Sequence, residues 1–152
     1  MPNNRLITKE KIAAYASVLL DAANTSGGQD AVLEVREQAE KIVSVMRTNV
    51  DLSGALEDAA YTPEQRAQIA RAAFAQCNPA FTEVLAVMAE RGEIKLLPQV
   101  RASYENQVET KLNLCILDVT TVVELDDHLR DVISTKLAAD LGRSVRLNES
   151  VD

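Results

Sequence analysis

The sequence predicts a mainly α protein: an N-terminal six-helix bundle followed by the beginning of a small α/β domain, in the order strand-helix-strand. Three observations carry this. Apolar residues recur at three- and four-residue spacing from Ile12 to Val108. Pro63, Pro79 and Pro98, with Gly27-Gly28 and Gly92, fall at the joints between those stripes. From Leu112 onward the pattern changes to β-branched and aliphatic runs. The predicted division is residues 1–111 for the helical bundle and 112–152 for a partial α/β segment.

Ile12, Tyr15, Ala16, Leu19, Leu20 and Ala23 trace one face of a first helix. Residues 24–28 (NTSGG) read as a turn, because adjacent glycines and small polar side chains sustain a packed helix poorly. Val32, Val35, Ala39, Ile42, Val43 and Met46 draw a second helix, with Glu37 and Lys41 in favourable i, i+4 order on its outer face. Leu52, Leu56 and Ala59 mark a short third helix, capped by Asp51 or Ser53. Thr62-Pro63-Glu64-Gln65 then joins an N-cap hydroxyl, a first-turn proline and a capping-box glutamine. The helix behind it carries the stripe Ile69, Ala70, Ala73, Phe74 and Cys77. Asn78-Pro79 repeats the device and opens a fifth helix with Phe81, Val84, Leu85, Met88 and Ala89 on one face. Gly92 supplies the left-handed residue that stops it with little strain. Pro98 suits the first turn of a sixth helix, which carries Val100, Tyr104 and Val108. Residues 81–100 are expected near the centre of the fold, since two helices meeting at a tight corner need apolar neighbours on both sides.

Residues 113–123 (NLCILDVTTVV) read as a strand, with Leu112, Leu114 and Ile116 alternating against Cys115, Leu117 and Val119. A helix follows, capped by Asp126 and striped by Leu129, Val132, Ile133, Leu137 and Leu141. Gly142 ends it, and residues 144–148 read as a second strand. Two strands and one helix bury little surface by themselves.

The 152 residues suffice for one ordinary domain and an appendage, and 47% apolar with 26% charged residues is normal for a chain that buries a core. With 3% aromatics, that core is built of Ala, Val, Leu and Ile, which favour close helix packing over a deep cofactor pocket. A net charge of −7 and the absence of a basic run argue against nucleic acid as partner. Cys77 and Cys115 form no short-spaced pair and read as thiols of a reducing compartment. No apolar run reaches the roughly 20 residues of a membrane span, and MPNNRLITKEK lacks the apolar core of a secretory signal. His128, the sole histidine, lacks the company that a metal site or triad requires. Gly27-Gly28 is not followed by the Lys and Ser/Thr of a phosphate loop. Glu57-Asp58 and Asp126-Asp127 are adjacent pairs that diverge on a helix. The sequence therefore presents no catalytic residues, no metal ligands and no cofactor site; it reads as a protein that binds and holds.

Several landmarks in order resemble the delta subunit of the bacterial F-type ATP synthase, whose mitochondrial counterpart is the oligomycin-sensitivity-conferring protein. They are Tyr15-Ala16 and Leu19-Leu20 in an alanine-rich helix; Val87-Met88-Ala89-Glu90 with Gly92, Ile94, Leu97-Pro98 and Val100 in step; the helix-to-strand passage from Lys111 to Thr121 with Leu125 before an acidic helix start; and Gly142, Val145, Leu147 and Val151-Asp152. The resemblance spans nearly the whole chain. Its departures are Glu83, where the family often has asparagine, and Glu93, where a basic residue is usual. Both make that surface more acidic. The family's smaller domain continues past Val151-Asp152 with two further strands and a closing helix, so the chain is expected to lack the end of that domain.

The resemblance implies a non-catalytic peripheral-stalk (stator) subunit that holds the catalytic headpiece to the membrane-anchored b stalk during proton-driven ATP synthesis. It implies two partners: the alpha-subunit N-terminal helix, gripped between the first and fifth helices, and the b-subunit stalk, met by the C-terminal part. Tyr15, Ala16, Leu19, Met88 and Ala89 fall on the matching positions of those two helices and are the implied partner-binding residues; each has ordinary bundle core as its bland alternative. The implied location is the cytoplasmic face of the bacterial plasma membrane, with membrane association only through the complex. Two alternatives share the helical pattern: a stand-alone adaptor that binds some other amphipathic helix, and an RNA-binding helical bundle, which would need a basic face.

Overall fold

A single residue, Gly28, sets the course of the first helix. In the computed structural model, which describes residues 4–121 and 124–151, α1 runs Asn4–Thr48 and leaves helical geometry only at Gly28 (φ 65°, ψ −152°). That φ lies in the left-handed region that glycine enters without a Cβ penalty. The turn predicted over residues 24–28 thus contracts to one residue, and residues 24–27 remain helical. Gly27 is needed for a different reason: a Cβ there would stand 2.7 Å from the Cβ of Ala31. The kink divides α1 into a 4–27 arm and a 29–48 arm. With the arms taken separately, six α-helices precede the first strand, as the stripes predict.

The joints that follow are closed by side chains. α2 (Val50–Glu57) is capped by Asn49, whose Oδ1 accepts the Leu52 N–H at 3.1 Å, and not by Asp51 or Ser53. Ser53 instead donates its hydroxyl to the Met46 carbonyl. α3 (Pro63–Ala73) opens with the predicted capping box: Gln65 N–H to Thr62 Oγ1 at 3.1 Å, and Thr62 N–H to Gln65 Oε1 at 2.8 Å. Its buried residues are Ala67 and Ala70, with Phe74 just beyond its end; Ala73 is exposed. The helix stops at Ala73, so Cys77 cannot extend the stripe. α4 (Pro79–Glu90) is capped by Asn78 Oδ1, which accepts the Ala80 N–H at 3.0 Å. The Asn78 N–H itself donates to Gln38 Oε1 at 2.8 Å. At the other end, Glu93 N–H reaches the Met88 carbonyl at 2.7 Å and Gly92 N–H the Ala89 carbonyl at 3.1 Å, with Gly92 at φ 70°. This six-to-one and five-to-two pair is a Schellman stop. A single 3₁₀ turn (Ile94–Leu96) leads into α5 (Leu97–Lys111).

The chain divides into two units, residues 1–105 and 106–152, the division falling within α5. In the first unit α4 is the central element. Seven of its 12 residues are buried, so it packs on more than one side, where an ordinary surface helix buries a single stripe. Thr82, buried among them, is satisfied by donating to the Phe74 carbonyl at 2.7 Å. Tyr104 is fully buried and donates its hydroxyl to the Val32 carbonyl at 2.6 Å, tying α5 to the first turns after the Gly28 kink. Burial pushes its phenol far above the ordinary value, so it stays neutral.

The second unit contains the end of α5, β1 (Leu114–Thr121), α6 (Asp127–Leu141) and β2 (Ser144–Val151). The strands pair in parallel from Leu114↔Ser144 to Thr121↔Val151, with α6 as the crossover that parallel pairing requires. β2 therefore extends to Val151, past the predicted 144–148. Val122 and Val123, predicted in the first strand, lie outside the described residues, as does Asp152. Asp126 caps α6 as predicted, its Oδ1 accepting the Leu129 N–H at 2.7 Å, and Gly142 ends the helix at φ 65°. The predicted stripe is only partly covered, however, with Ile133 and Leu137 half-buried. No described residue of α6 is buried, and Leu129, Val132 and Leu141 stay 45%, 49% and 49% exposed. Two strands present too narrow a surface to cover a four-turn helix.

Candidate functional site

The 4–27 arm of α1 and α4 border a groove of about 440 Å³ with nearly all-apolar walls. Ala14, Tyr15, Val18 and Ala22 line it from α1, and Ala80, Val84 and Val87 from α4. Lys11 and Tyr15 contact Glu93, beyond the C-terminus of α4, so the two helices border the groove in opposite directions. The lining positions span Lys11 to Ala22 and Ala80 to Arg91, about three helical turns or roughly 16 Å. Val18 is 60% exposed and Val87 38%, an apolar surface that folding leaves open to water.

The five residues singled out by resemblance fall into two groups. Tyr15 stands in the groove wall. Ala16, Leu19, Met88 and Ala89 are 0%, 1%, 0% and 0% exposed and lie within the bundle core behind that wall. The exposed lining was not singled out in the sequence, although a signal was present. Ala14, Val18 and Ala22 repeat at i, i+4, i+8, one position off the core stripe, and on α4 Ala80 and Val87 stand one turn either side of the stripe residue Val84. A helix that is apolar beyond its core face has a second surface to cover.

Charged residues mark the ends. At one end the Tyr15 hydroxyl donates to Glu93 Oε1 at 2.8 Å, Lys11 Nζ lies 3.0 Å from Oε2, and Arg91 Nε lies 3.5 Å from Oε1. Glu93 itself is only 14% exposed. Its burial works to raise the carboxyl pKa, but the hydrogen bonds from Tyr15 and Lys11, with the charges of Lys11 and Arg91, outweigh burial and hold it below the usual value. Burial, reinforced by the hydrogen bond to Glu93 and its negative charge, pushes the Tyr15 phenol up to about 12. Glu93, one of the two departures from the family pattern, is thus a half-buried fastener between α1 and the turn after α4. The other, Glu83, lines the groove and is engaged by Arg71 at 3.1 and 3.2 Å, which lowers its pKa.

Arg66 on α3 holds the C-terminal end of α4. Its guanidinium donates to the carbonyls of Ala89 at 2.9 Å and Glu90 at 3.0 Å, and to that of Tyr61 at 2.9 Å. The last carbonyls of α4, which have no partner within the helix, are thereby satisfied by a cation.

Among the described residues there is no cluster of three His, Cys, Asp or Glu placed to hold a metal. Cys77 and Cys115 are free and half-buried, and burial, with the charge of Glu34, raises the Cys77 thiol. No helix among the described residues is long and apolar enough to cross a membrane. The arrangement offers an apolar cleft with fixed walls and charged ends, which is suited to holding a helix by its apolar face.

Residues 12–152 match the family model described as ATP synthase delta (OSCP) subunit. A Rhodopirellula baltica protein named ATP synthase subunit delta is 27% identical over 139 residues, covering 91% of this chain and 60% of that protein. Proteins of the same name are 32% identical over 144 residues in Aliivibrio fischeri (strain MJ11) and 23% identical over 138 residues in Flavobacterium johnsoniae. Each of these covers 91% of this chain and 76% of the relative. The chain thus spans between 60% and 76% of the length of these relatives.

Proposed function

The chain belongs to the ATP synthase delta (OSCP) subunit family, and on that premise we propose that it is a non-catalytic peripheral-stalk subunit of an F-type ATP synthase. The relatives carry the name ATP synthase subunit delta. In this reading the subunit makes and breaks no bond; it holds the catalytic headpiece still against the rotor. It works at the cytoplasmic face of the bacterial plasma membrane and reaches the membrane only through the complex. The absence of a membrane-spanning helix among the described residues is consistent with this location.

The observation that carries the reading is the apolar groove between α1 and α4. Its occupant is the N-terminal helix of an alpha subunit. A length of about three turns and walls of Ala, Val and Tyr match one apolar helix face, the usual basis of helix-in-groove affinity. Tyr15 meets that helix directly, together with Val18 and Val87. Ala16, Leu19, Met88 and Ala89 support the wall from behind. The second unit meets the b-subunit stalk, and the exposed Leu129, Val132 and Leu141 of α6 are the apolar surface available for it.

The test is titration of a peptide carrying the alpha-subunit N-terminal helix against the ¹⁵N-labelled chain. Saturable shifts confined to residues 11–22 and 80–91 are expected. No binding at high micromolar peptide, with the helical signal intact, would overturn the groove reading.

A further inference from the structure

A second cavity, of about 290 Å³, shares no residue with the groove. Glu40, Val43, Ser44 and Arg47 line it from the 29–48 arm of α1, and Pro98 and Arg101 from the start of α5. The four α1 positions follow the i, i+3, i+4, i+7 spacing of a single helix face, so two arginines from different helices converge on one cavity. Arg101 is held incompletely. Its Nε is closed to solvent and donates to no acceptor. The Glu105 carboxylate lies 3.9 Å from its Nη2, beyond hydrogen-bond reach, and stands 3.8 Å from Arg36 as well. Arg47 is exposed and pairs with no carboxylate among the described residues. Glu40 is the one acid among the described lining residues. With Arg36 and Glu105 included, three arginines face two carboxylates, and one positive charge is left over on a chain of net charge −7.

We propose that this cavity binds a phosphate group, held between the guanidinium groups of Arg47 and Arg101 with the Ser44 hydroxyl as a further donor. A shielded donor without an acceptor is unfavourable, and an anion beside Arg101 supplies what its guanidinium lacks. The planar guanidinium fork matches the oxygen spacing of phosphate and grips it through two parallel bonds. Two forks approaching from different helices suit a tetrahedral ion, which has oxygens on every side, better than a planar carboxylate. Glu40 opposes the anion, so it sets a weak affinity and a preference for ions that engage both arginines at once.

The experiment titrates inorganic phosphate into the full ¹⁵N-labelled chain at constant ionic strength, with chloride as the balancing ion. Saturable shifts in the millimolar range are expected at the amides of residues 40–47 and 99–101 and at the Nε–H groups of Arg47 and Arg101. Arg47→Gln, an exposed change that keeps the fold, should weaken phosphate about threefold to tenfold. Glu40→Gln should tighten it about twofold to fivefold. Glycerol 3-phosphate tells the source of the group: binding at the same residues assigns the site to the phosphate of a larger molecule, and its exclusion assigns the site to the free ion. Shifts that do not saturate, or phosphate binding unchanged in Arg47→Gln, overturn the site. Acetate binding as tightly as phosphate overturns the choice of a tetrahedral ion.

Discussion

The Tyr15 hydroxyl donates to the Glu93 carboxylate at 2.8 Å, joining positions 78 residues apart in sequence. The bond fixes the first arm of α1 against the turn after α4 and so sets one end of the groove. Hydrogen bonds to a charged group are worth about 1.5–3 kcal/mol, more than neutral ones. Tyr15→Phe and Glu93→Gln should each destabilise the chain by about 1–2 kcal/mol in urea unfolding. In a double-mutant cycle the pair should couple by at least about 0.5 kcal/mol. Strict additivity would mean that the two side chains do not act together.

The same pair predicts the pH dependence. The folded pKa of Glu93 is depressed, so its contribution is fully present above the unfolded value of about 4.3 and is lost as pH falls through the folded value. The stability difference between the native chain and Glu93→Gln should therefore shrink below about pH 4. Tyr15 behaves oppositely. Its folded pKa is raised to about 12, so its contribution is present below the ordinary value of 10.0 and is lost as pH rises toward the folded value. Melting temperature should fall from pH 10 upward, and less steeply in Tyr15→Phe. Parallel curves for the two proteins would rule this out.

Met88 and Val87 are neighbours with opposite fates. Met88 is fully buried and Val87 is 38% exposed in the groove. Met88→Glu places an unpaired carboxylate in the core and should cost more than about 4 kcal/mol, with loss of the helical circular-dichroism signal. Val87→Glu and Val18→Glu should keep that signal and change stability by less than about 1 kcal/mol, while weakening peptide binding tenfold or more. A folded Met88→Glu that has merely lost peptide binding would mean that Met88 faces the groove.

Arg66 covers the end of α4 with two bonds, to the carbonyls of Ala89 at 2.9 Å and Glu90 at 3.0 Å, and makes a third to the Tyr61 carbonyl at 2.9 Å. Arg66→Lys keeps the charge but not the planar fork, so it should recover only part of the stability lost in Arg66→Ala, itself about 1–3 kcal/mol. Amide exchange at residues 88–92 should speed up in both variants. If lysine restored the full stability, charge alone would account for the arginine.

The local devices of this chain could be read from sequence because each involves neighbours only. Thr62 and Gln65 lie three apart and need nothing else to close a capping box. Gly92 and Gly142 stop helices through their own left-handed φ. The Gly28 joint was legible as a break, but its extent was not. Residues 24–27 are exposed yet continue the first arm of α1 as its last turn, although their helix propensity is poor. The Asn49 cap escapes the sequence reading because an asparagine three residues before the first stripe residue, Leu52, differs little as a cap from the nearby Asp51 and Ser53.

The sequence by itself determined the fold class, the order of the elements and the apolar character of α4, since these follow from the 3.6- and two-residue periods and from turn chemistry. Only tertiary structure decided which apolar residues are core and which are groove. Met88 and Val87, or Leu19 and Val18, differ in sequence by one step of about 100° around a helix. The side on which they finish depends on where neighbouring helices lie. Tertiary structure also decided the role of Glu93. By residue type it reads as an acidic surface position after a glycine, and only the approach of Lys11 and Tyr15 from the far end of the sequence makes it a half-buried fastener.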